Sequence, residues 1–307
     1  MFFTMSPVQN LPLVDTHAHV NLEEFASDLN DLLSRSTSGR FPVVKGRQIE
    51  DPLFRPFIAG LICPSVDFAT SLLSIELSQR YDFIFAGVGF HPNHTHLMGP
   101  NDWEQYKRLV LNRASESRIV ALGETGLDSY WDDAPFELQR EIFVRTLELG
   151  VETGLPVIIH SREANEELVS LLRDFYTNQR IAFSPGVVHS FSGTLEQADT
   201  LLELGFYLGF GGFVTYTNKK YSELWEVARR APSNRLLLET DCPFLTPHPL
   251  RGKLERNEPL MTAFAARRLA ELRDVGIVEI VNQTTTNARE LFKLPELCKE
   301  PTVFSHE

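Results

Sequence analysis

The fold class predicted from the sequence is α/β: a TIM (β/α)8 barrel, one domain over residues 1–307, with the barrel itself at about 11–294. Two observations predict it. Eight short apolar runs alternate with longer stretches of helical spacing, and eight β/α units in about this length read most simply as one closed barrel. The runs are continuously apolar rather than alternating, as strands buried on both faces should be. A doubly wound open sheet is the competing architecture, but no Gly-rich first turn supports it.

In chain order the runs are Leu11–Thr16, Phe57–Cys63, Phe83–Phe90, Ile119–Gly123, Pro156–His160, Gly186–His189, Phe206–Phe210 and Leu236–Glu239. Between them, Phe25, Leu29, Leu32 and Leu33 share one helical face, as do Phe136, Ile142, Phe143 and Leu147. Further helices are expected at Asp67–Arg80, Asp102–Ser117, Glu163–Tyr176, Leu195–Leu204 and Tyr221–Ala231, and Leu260–Val275 and Val278–Phe292 close the chain. Asp67, Asp102, Ser161 and Thr194 precede these runs as N-caps, because their oxygens can accept the free N–H groups of a first turn. One stretch, Arg35–Pro56, breaks the rhythm. It holds Arg35, Arg40, Lys45, Arg47 and Arg55 against Glu50 and Asp51. A helix-to-strand connection falls on the face opposite a barrel's active site, so this extension reads as a solvated loop rather than a substrate-binding arm.

With 29 Lys+Arg against 41 Asp+Glu, the formal charge is −12. That argues against holding long nucleic acid by charge, and leaves room for a small anionic group at one local site. Cys63, Cys242 and Cys298 are far apart without CxxC spacing, which suggests neither a disulfide framework nor a zinc knuckle. Met1-Phe2-Phe3-Thr4-Met5 lacks the basic and long apolar regions of a signal peptide, and no uncharged apolar run approaches the ~18 residues of a membrane span. The expectation is a cytoplasmic monomer with no membrane or protein partner.

Metal-type side chains gather at the C-terminal ends of the runs, where active sites of this fold sit. These are His17, His19, Glu124, His160, His189 and Asp241. His17 and His19, two apart, can converge on one ion. Any one of the six alone would more often be a core histidine or a turn acid. Together they would be costly to bury unpaired, and coordination explains them better. Six ligands suit two divalent ions about 3.5–4 Å apart. His17, His19 and Asp241 are assigned to one ion and His160 and His189 to the other, with Glu124 bridging. Zinc, manganese or nickel fits this donor set, magnesium less naturally.

The motifs Asp15-Thr16-His17-Ala18-His19, Gly123-Glu124-Thr125-Gly126-Leu127-Asp128, Pro156 through Ala164 and Leu238-Glu239-Thr240-Asp241 resemble those of the TatD family of metal-dependent deoxyribonucleases. Gly89-Phe90-His91-Pro92, His189 through Gly193, Arg251-Gly252-Lys253 and Asn257-Glu258-Pro259 extend the resemblance in the same order, over about residues 13–294. It implies a barrel of the amidohydrolase superfamily with a two-metal centre (zinc, manganese or magnesium) and the same six ligands. It also implies hydrolysis of DNA, often as a 3′–5′ exonuclease, with single-stranded DNA or 3′ ends as substrate. Three features depart from the family pattern: Ser190 in place of the common cysteine, the long 35–56 stretch, and Ser129-Tyr130-Trp131-Asp132-Asp133 after the fourth run.

The expected reaction is attack of a hydroxide held between the metals on phosphorus, with Asp241 as general base and Glu124 as bridge. Arg162, two residues beyond His160, could grip a phosphate; a salt bridge to Glu163 or Glu239 is its alternative. His91 could contact phosphate or the leaving oxygen, with a capping or core histidine as its alternative. Glu239 could orient a ligating histidine, and Arg251 and Lys253 could touch the nucleic-acid backbone. Two other functions compete: a hydrolase of C–N or C–O bonds such as a lactonase, amidase or D-aminoacyl-tRNA deacylase, and a non-catalytic metal-binding scaffold. Glu124 stands where many relatives in the superfamily carry a modified lysine, which favours the nuclease group. The intact ligand set disfavours the scaffold.

Overall fold

All eight apolar runs are strands. A computed structural model describes residues 9–49, 54–112, 118–177, 179 and 183–300. The strands are β1 (Gln9–Asp15), a small hairpin of β2 (Val43–Val44) and β3 (Arg47–Gln48), then β4 (Phe54–Cys63), β5 (Ile84–Val88), β6 (Ile119–Asp128), β7 (Val157–Arg162), β8 (Gly186–Val188), β9 (Tyr207–Phe210) and β10 (Leu236–Leu238). Apart from the hairpin they form one sheet in chain order, β1-β4-β5-β6-β7-β8-β9-β10, every ladder parallel. The two ends of that sheet meet just beyond β1 and β10. There Thr16 N donates to Leu238 O at 3.0 Å, Asp241 N to His17 O at 2.8 Å and His19 N to Cys242 O at 2.9 Å. The Asp15 carboxylate reinforces this seam, accepting from Thr240 N at 3.0 Å and Thr240 Oγ1 at 2.6 Å.

Val14, Ile62, Phe85, Ala121, Ile158, Val187, Tyr207 and Leu237, one from each strand of the sheet, meet inside the barrel and pack on Ala288, Leu291 and Phe292. The interior is therefore a packed core and not a pore, and the polar groups above it have a rigid floor. Helices cover the outside: α1 (Glu23–Ala26), α2 (Leu29–Thr37), α3 (Phe68–Arg80), α4 (Asp102–Leu111), α5 (Phe136–Thr153), α6 (Asn165–Tyr176), α7 (Leu195–Glu203), α8 (Gly212–Thr215), α9 (Ser222–Arg230), α10 (Thr262–Arg273) and α11 (Ile277–Phe292). Among the described residues, no helix is long and apolar enough to cross a membrane.

Asp67 and Thr194 cap α3 and α7 with capping boxes, accepting from Thr70 N at 2.8 Å and Gln197 N at 3.2 Å. The other two expected caps differ. Asp102 lies inside α4, whose cap position is Asn101, and its carboxylate accepts from Gly99 N instead. Ser161 stays on β7, because that strand continues to Arg162 in register with Asp128, and α6 begins only at Asn165. The first helix is split into α1 and α2, and positions 113–117 of the helix expected at Asp102–Ser117 lie outside the described residues.

The 35–56 extension is not simply a solvated loop. Phe41 is buried, and Val44, Ile49 and Phe54 pack against the main core. Three of its cations are spent internally: Arg35 binds Glu258 at 2.6 Å and Asp28 at 3.3 Å, Arg40 donates to Ser38 Oγ at 2.9 Å, and Arg55 donates to Ser38 O at 3.0 Å. Its acids Glu50 and Asp51 fall outside the described residues. With β1 and α10 the extension lines a half-open pocket of about 420 Å³, whose apolar wall includes Leu11, Leu13, Phe41 and Phe264. The apolar residues of the stretch, spaced without a period, gave no sign of this packing.

Candidate metal centre

The six chemistry-bearing residues converge above the packed floor. His17 Nε2 and His19 Nε2 face each other at 3.0 Å. Glu124 Oε2 lies 3.4 and 3.3 Å from these two nitrogens, and Asp241 Oδ1 lies 3.6 and 3.5 Å from them. The other oxygen of Glu124 serves a second group: Oε1 is 2.9 Å from His160 Nδ1 and 2.7 Å from His189 Nε2, which are themselves 3.3 Å apart.

These separations fit metal ions. Around a tetrahedral ion with ligand bonds of ~2.1 Å, neighbouring donor atoms sit roughly 3.4 Å apart. The five distances of the first group span 3.0–3.6 Å. The remaining nitrogens of three of these rings, His17 Nδ1, His19 Nδ1 and His189 Nδ1, are buried and have no hydrogen-bond partner among the described residues.

Packing four imidazoles and two carboxylates in one dry space splits their proton affinities. Burial, and then the charge of His189, pushes His17 down to about 4. Burial acts the same way on His19, but hydrogen bonds to Asp241 and Glu124 win and raise it to about 10. His160 rises to about 9 against burial, through bonds to Asp128 and Glu124. The Glu124 carboxyl is held well below the usual range, since the surrounding imidazoles outweigh its burial. The cluster is therefore a carboxylate-centred trap for positive charge.

One contributor escaped the sequence reading. Asp128 Oδ2 accepts from His160 Nε2 at 3.0 Å and from Asn93 Nδ2 at 3.1 Å, which leaves His160 to present Nδ1 to Glu124. Asp128 Oδ1 accepts from the backbone N–H of Tyr130 at 2.9 Å and of Trp131 at 3.2 Å. The readable signal was spacing: Glu124, Gly126 and Asp128 are two apart on one strand and share a face. Gly126 sits at φ +147°, where an added Cβ would lie 2.0 Å from the His160 carbonyl oxygen, so the bare backbone lets β6 approach the His160 segment.

The remaining candidates fall around this core. His91 Nδ1 accepts from Asn93 N at 3.1 Å, so its Nε2 carries the proton and faces Glu124 Oε1 at 3.8 Å. Burial, and then the nearby His160, push it down to about 3, which keeps it neutral. Glu239 accepts from the Ser190 N–H and lies 3.9 Å from His189 Nδ1; burial raises its carboxyl to about 7. Arg162 makes neither expected salt bridge among the described contacts. Its exposed guanidinium lies over the Tyr130 ring at 3.8 Å and near Trp131 at 5.4 Å. Arg251 likewise stacks over Tyr216 at 4.5 Å.

A family model described as TatD related DNase matches residues 14–293. The chain belongs to the TatD family. The Bacillus subtilis metal-dependent hydrolase YabD, itself uncharacterized, is 38% identical over 282 residues, covering 92% of this chain and 99% of its own. The 3′-5′ ssDNA/RNA exonuclease TatD of Erwinia tasmaniensis is 32% identical, over 77% of this chain and 89% of its own. Among solved structures, the TatD homologue YjjV of Escherichia coli superposes with a TM-score of 0.78 at 30% identity, covering 92% of this chain and 98% of that one. This TatD-family chain is thus a metal-dependent hydrolase on an eight-stranded parallel barrel.

Proposed function

We propose that this TatD-family hydrolase cleaves the phosphodiester bonds of DNA as a 3′–5′ exodeoxyribonuclease acting on single strands or 3′ ends, with two divalent ions. The observation that carries the reading is the division of Glu124: Oε2 faces His17, His19 and Asp241, while Oε1 faces His160 and His189. Such a carboxylate bridge is what a two-ion hydrolytic site needs. The exonuclease from Erwinia supports the choice of a nucleic-acid phosphodiester. His17, His19 and Asp241 would hold one ion and His160 and His189 the other, and zinc, manganese and magnesium are the candidates.

When bound, such ions neutralise charge on the phosphoryl oxygens and lower the pKa of an attacking water. The protein's own groups do the rest. Burial would raise the Asp241 carboxyl, but the His19 bond and the charge of His17 keep it below the usual range, so it is ionised and can take the water's proton. Its side chain is 15% exposed against 3% for Glu124, which puts the base on the open side and the bridge on the closed side. His91 keeps an Nε2–H directed into the site, suited to donate to a phosphate oxygen. Arg162 offers a guanidinium at the mouth for a second phosphate.

The test is an assay on a single-stranded DNA oligonucleotide and its RNA counterpart, with Mg²⁺, Mn²⁺ or Zn²⁺ added. Cleavage from the 3′ end by the wild type, abolished in Glu124→Ala and His160→Ala, is the expected result. Equal inactivity of wild type and both variants with all three ions would overturn the proposal.

A further inference from the structure

The mouth of the barrel carries a feature that metal chemistry does not need. Eight large apolar side chains among the described residues are exposed, and three of them are aromatic: Tyr130, Trp131 and Phe244, each about half exposed. All three follow strands that carry or adjoin residues of the candidate centre. Tyr130 and Trp131 follow β6, with ring centroids 4.8 Å apart at right angles. Phe244 follows β10 and meets the His19 ring edge-on at 6.5 Å. In the order of the closed sheet, β6 is the fourth strand and β10 the eighth, so the two aromatic sites follow strands on opposite sides of the barrel.

Resting on the nuclease reading above, we infer that Tyr130–Trp131 and Phe244 are stacking platforms for the bases on either side of the scissile phosphate. Every nucleobase has a π-face, so aromatic platforms bind a single strand with little regard to sequence. Contiguous exposed apolar surface, more than single side chains, marks interaction sites, and Tyr130 and Trp131 form such a pair. Here their placement names the partner. Asp128 ties one platform to the chemistry: one of its oxygens holds the Tyr130 and Trp131 backbone, and the other holds His160. Phe244 is tied by the turn in which its N–H donates to Asp241 O at 2.9 Å. Both platforms are thereby fixed relative to the residues that would hold the ions. The Arg162 guanidinium covers one face of Tyr130, which leaves the exposed Trp131 and the other Tyr130 face for a base and places a cation next to them for the adjoining phosphate.

This arrangement also answers the acidic composition. Stacking needs no charge, so a protein of net −12 can hold a strand by its bases where phosphate contacts are few. Two bases splayed to opposite sides of one phosphate cannot belong to a continuous duplex, so the geometry selects unpaired ends.

The experiment pairs each platform with the base it would meet. kcat/KM is measured on a thymidine oligonucleotide and on versions in which the terminal or the penultimate 3′ nucleotide is abasic, for wild type, Phe244→Leu and the double variant Tyr130→Leu/Trp131→Leu. Each platform variant is expected to lose roughly five- to a hundred-fold on the intact substrate, chiefly in KM. One abasic position should cost the wild type a similar factor, and the two losses should not multiply when the missing base and the missing ring face each other. All three side chains are half exposed, so unchanged melting temperatures are expected, and Trp131→Phe added to Tyr130→Phe should restore most activity. Losses that multiply at every position, or platform variants equal to wild type, overturn the stacking assignment while cleavage itself persists. Absence of any Glu124-dependent cleavage by the wild type is the distinct outcome that removes the nuclease reading, and the platforms with it.

Discussion

Replacing Asp128 by asparagine should weaken divalent-metal binding at the His160–His189 side of the centre by ten- to a hundred-fold and leave the His17–His19 side nearly intact. The magnitude follows from four contacts. One carboxylate oxygen accepts from Tyr130 N and Trp131 N at 2.9 and 3.2 Å, the other from His160 Nε2 and Asn93 Nδ2 at 3.0 and 3.1 Å. An asparagine has one oxygen, so in either orientation its NH₂ group faces two donors. With the oxygen kept on the backbone N–H groups, His160 loses a charge-assisted bond of ~1.5–3 kcal/mol, equivalent to about one to two powers of ten in affinity. Outer partners of metal-bound histidines are typically worth that much, ~10–100-fold. The assay is competition for Zn²⁺ or Mn²⁺ against a chelating dye, with His160→Ala as the limiting case. Two sites filling within a factor of two of wild type would refute the argument that Asp128 sets the His160 ring.

Further outcomes follow from other contacts. Gly126→Ala should lower stability by ~2 kcal/mol or more and reduce metal occupancy, because a Cβ would lie 2.0 Å from the His160 carbonyl oxygen and the position has φ +147°; wild-type denaturant midpoints and metal content would contradict this. Asp28 receives Arg256 at 2.5 Å and Arg35 at 3.3 Å; burial would raise its carboxyl, but these guanidinium groups hold it below its usual value. A depressed folded-state pKa contributes stability that is present above the unfolded value near ~4 and disappears as pH falls through the folded one. Asp28→Asn should therefore cost ~0.5–1 kcal/mol at pH 7, discounted for partial exposure, and progressively less below pH 4. Melting curves at the two pH values check it, and a constant difference would count against the ion pair. Chelation by EDTA should weaken DNA binding, leaving what base stacking alone supplies, and lower the melting temperature, since a ligand held at a hundred times its Kd adds about 2.7 kcal/mol; undiminished affinity for DNA in EDTA would show that the metals do not supply the local positive charge.

The eight strands were legible because a strand covered on both faces must be apolar along its whole length, and Val, Ile, Leu and Phe supply that signal at each run. Where β6 continues as Glu124-Thr125-Gly126-Leu127-Asp128 the signal fails, since the strand is prolonged by pairing with β7 through register rather than by its own hydrophobicity. Asp128 was hidden for that reason, although it closes a quoted motif. Arg162 was legible as a residue at the mouth, but its partner was not: the expected alternatives were a phosphate or an acid such as Glu163 or Glu239, whereas the loop after β6 brings a tyrosine ring beneath it. The β2–β3 hairpin pairs residues that show no strand periodicity, and Phe41 is buried by tertiary contacts alone. The six residues of the candidate centre were legible because each ends or follows one of the apolar runs, although Glu124 and His160 turn out to lie within β6 and β7, which continue past those runs.

The seam between β1 and β10 has a consequence in time. Thr16 and Leu238, which it joins, are separated by 222 positions, and the donors on its two sides, His17 and His19 against Asp241, lie within 3.6 Å of one another. On a ribosome the first two are made long before the third, and they have nothing to close upon until almost the whole barrel exists. A chain released early would carry an incomplete set of donors on an open sheet. The seam that joins the first strand to the last also brings His17 and His19 to Asp241, so a chain that stops short of Asp241 carries an incomplete candidate centre.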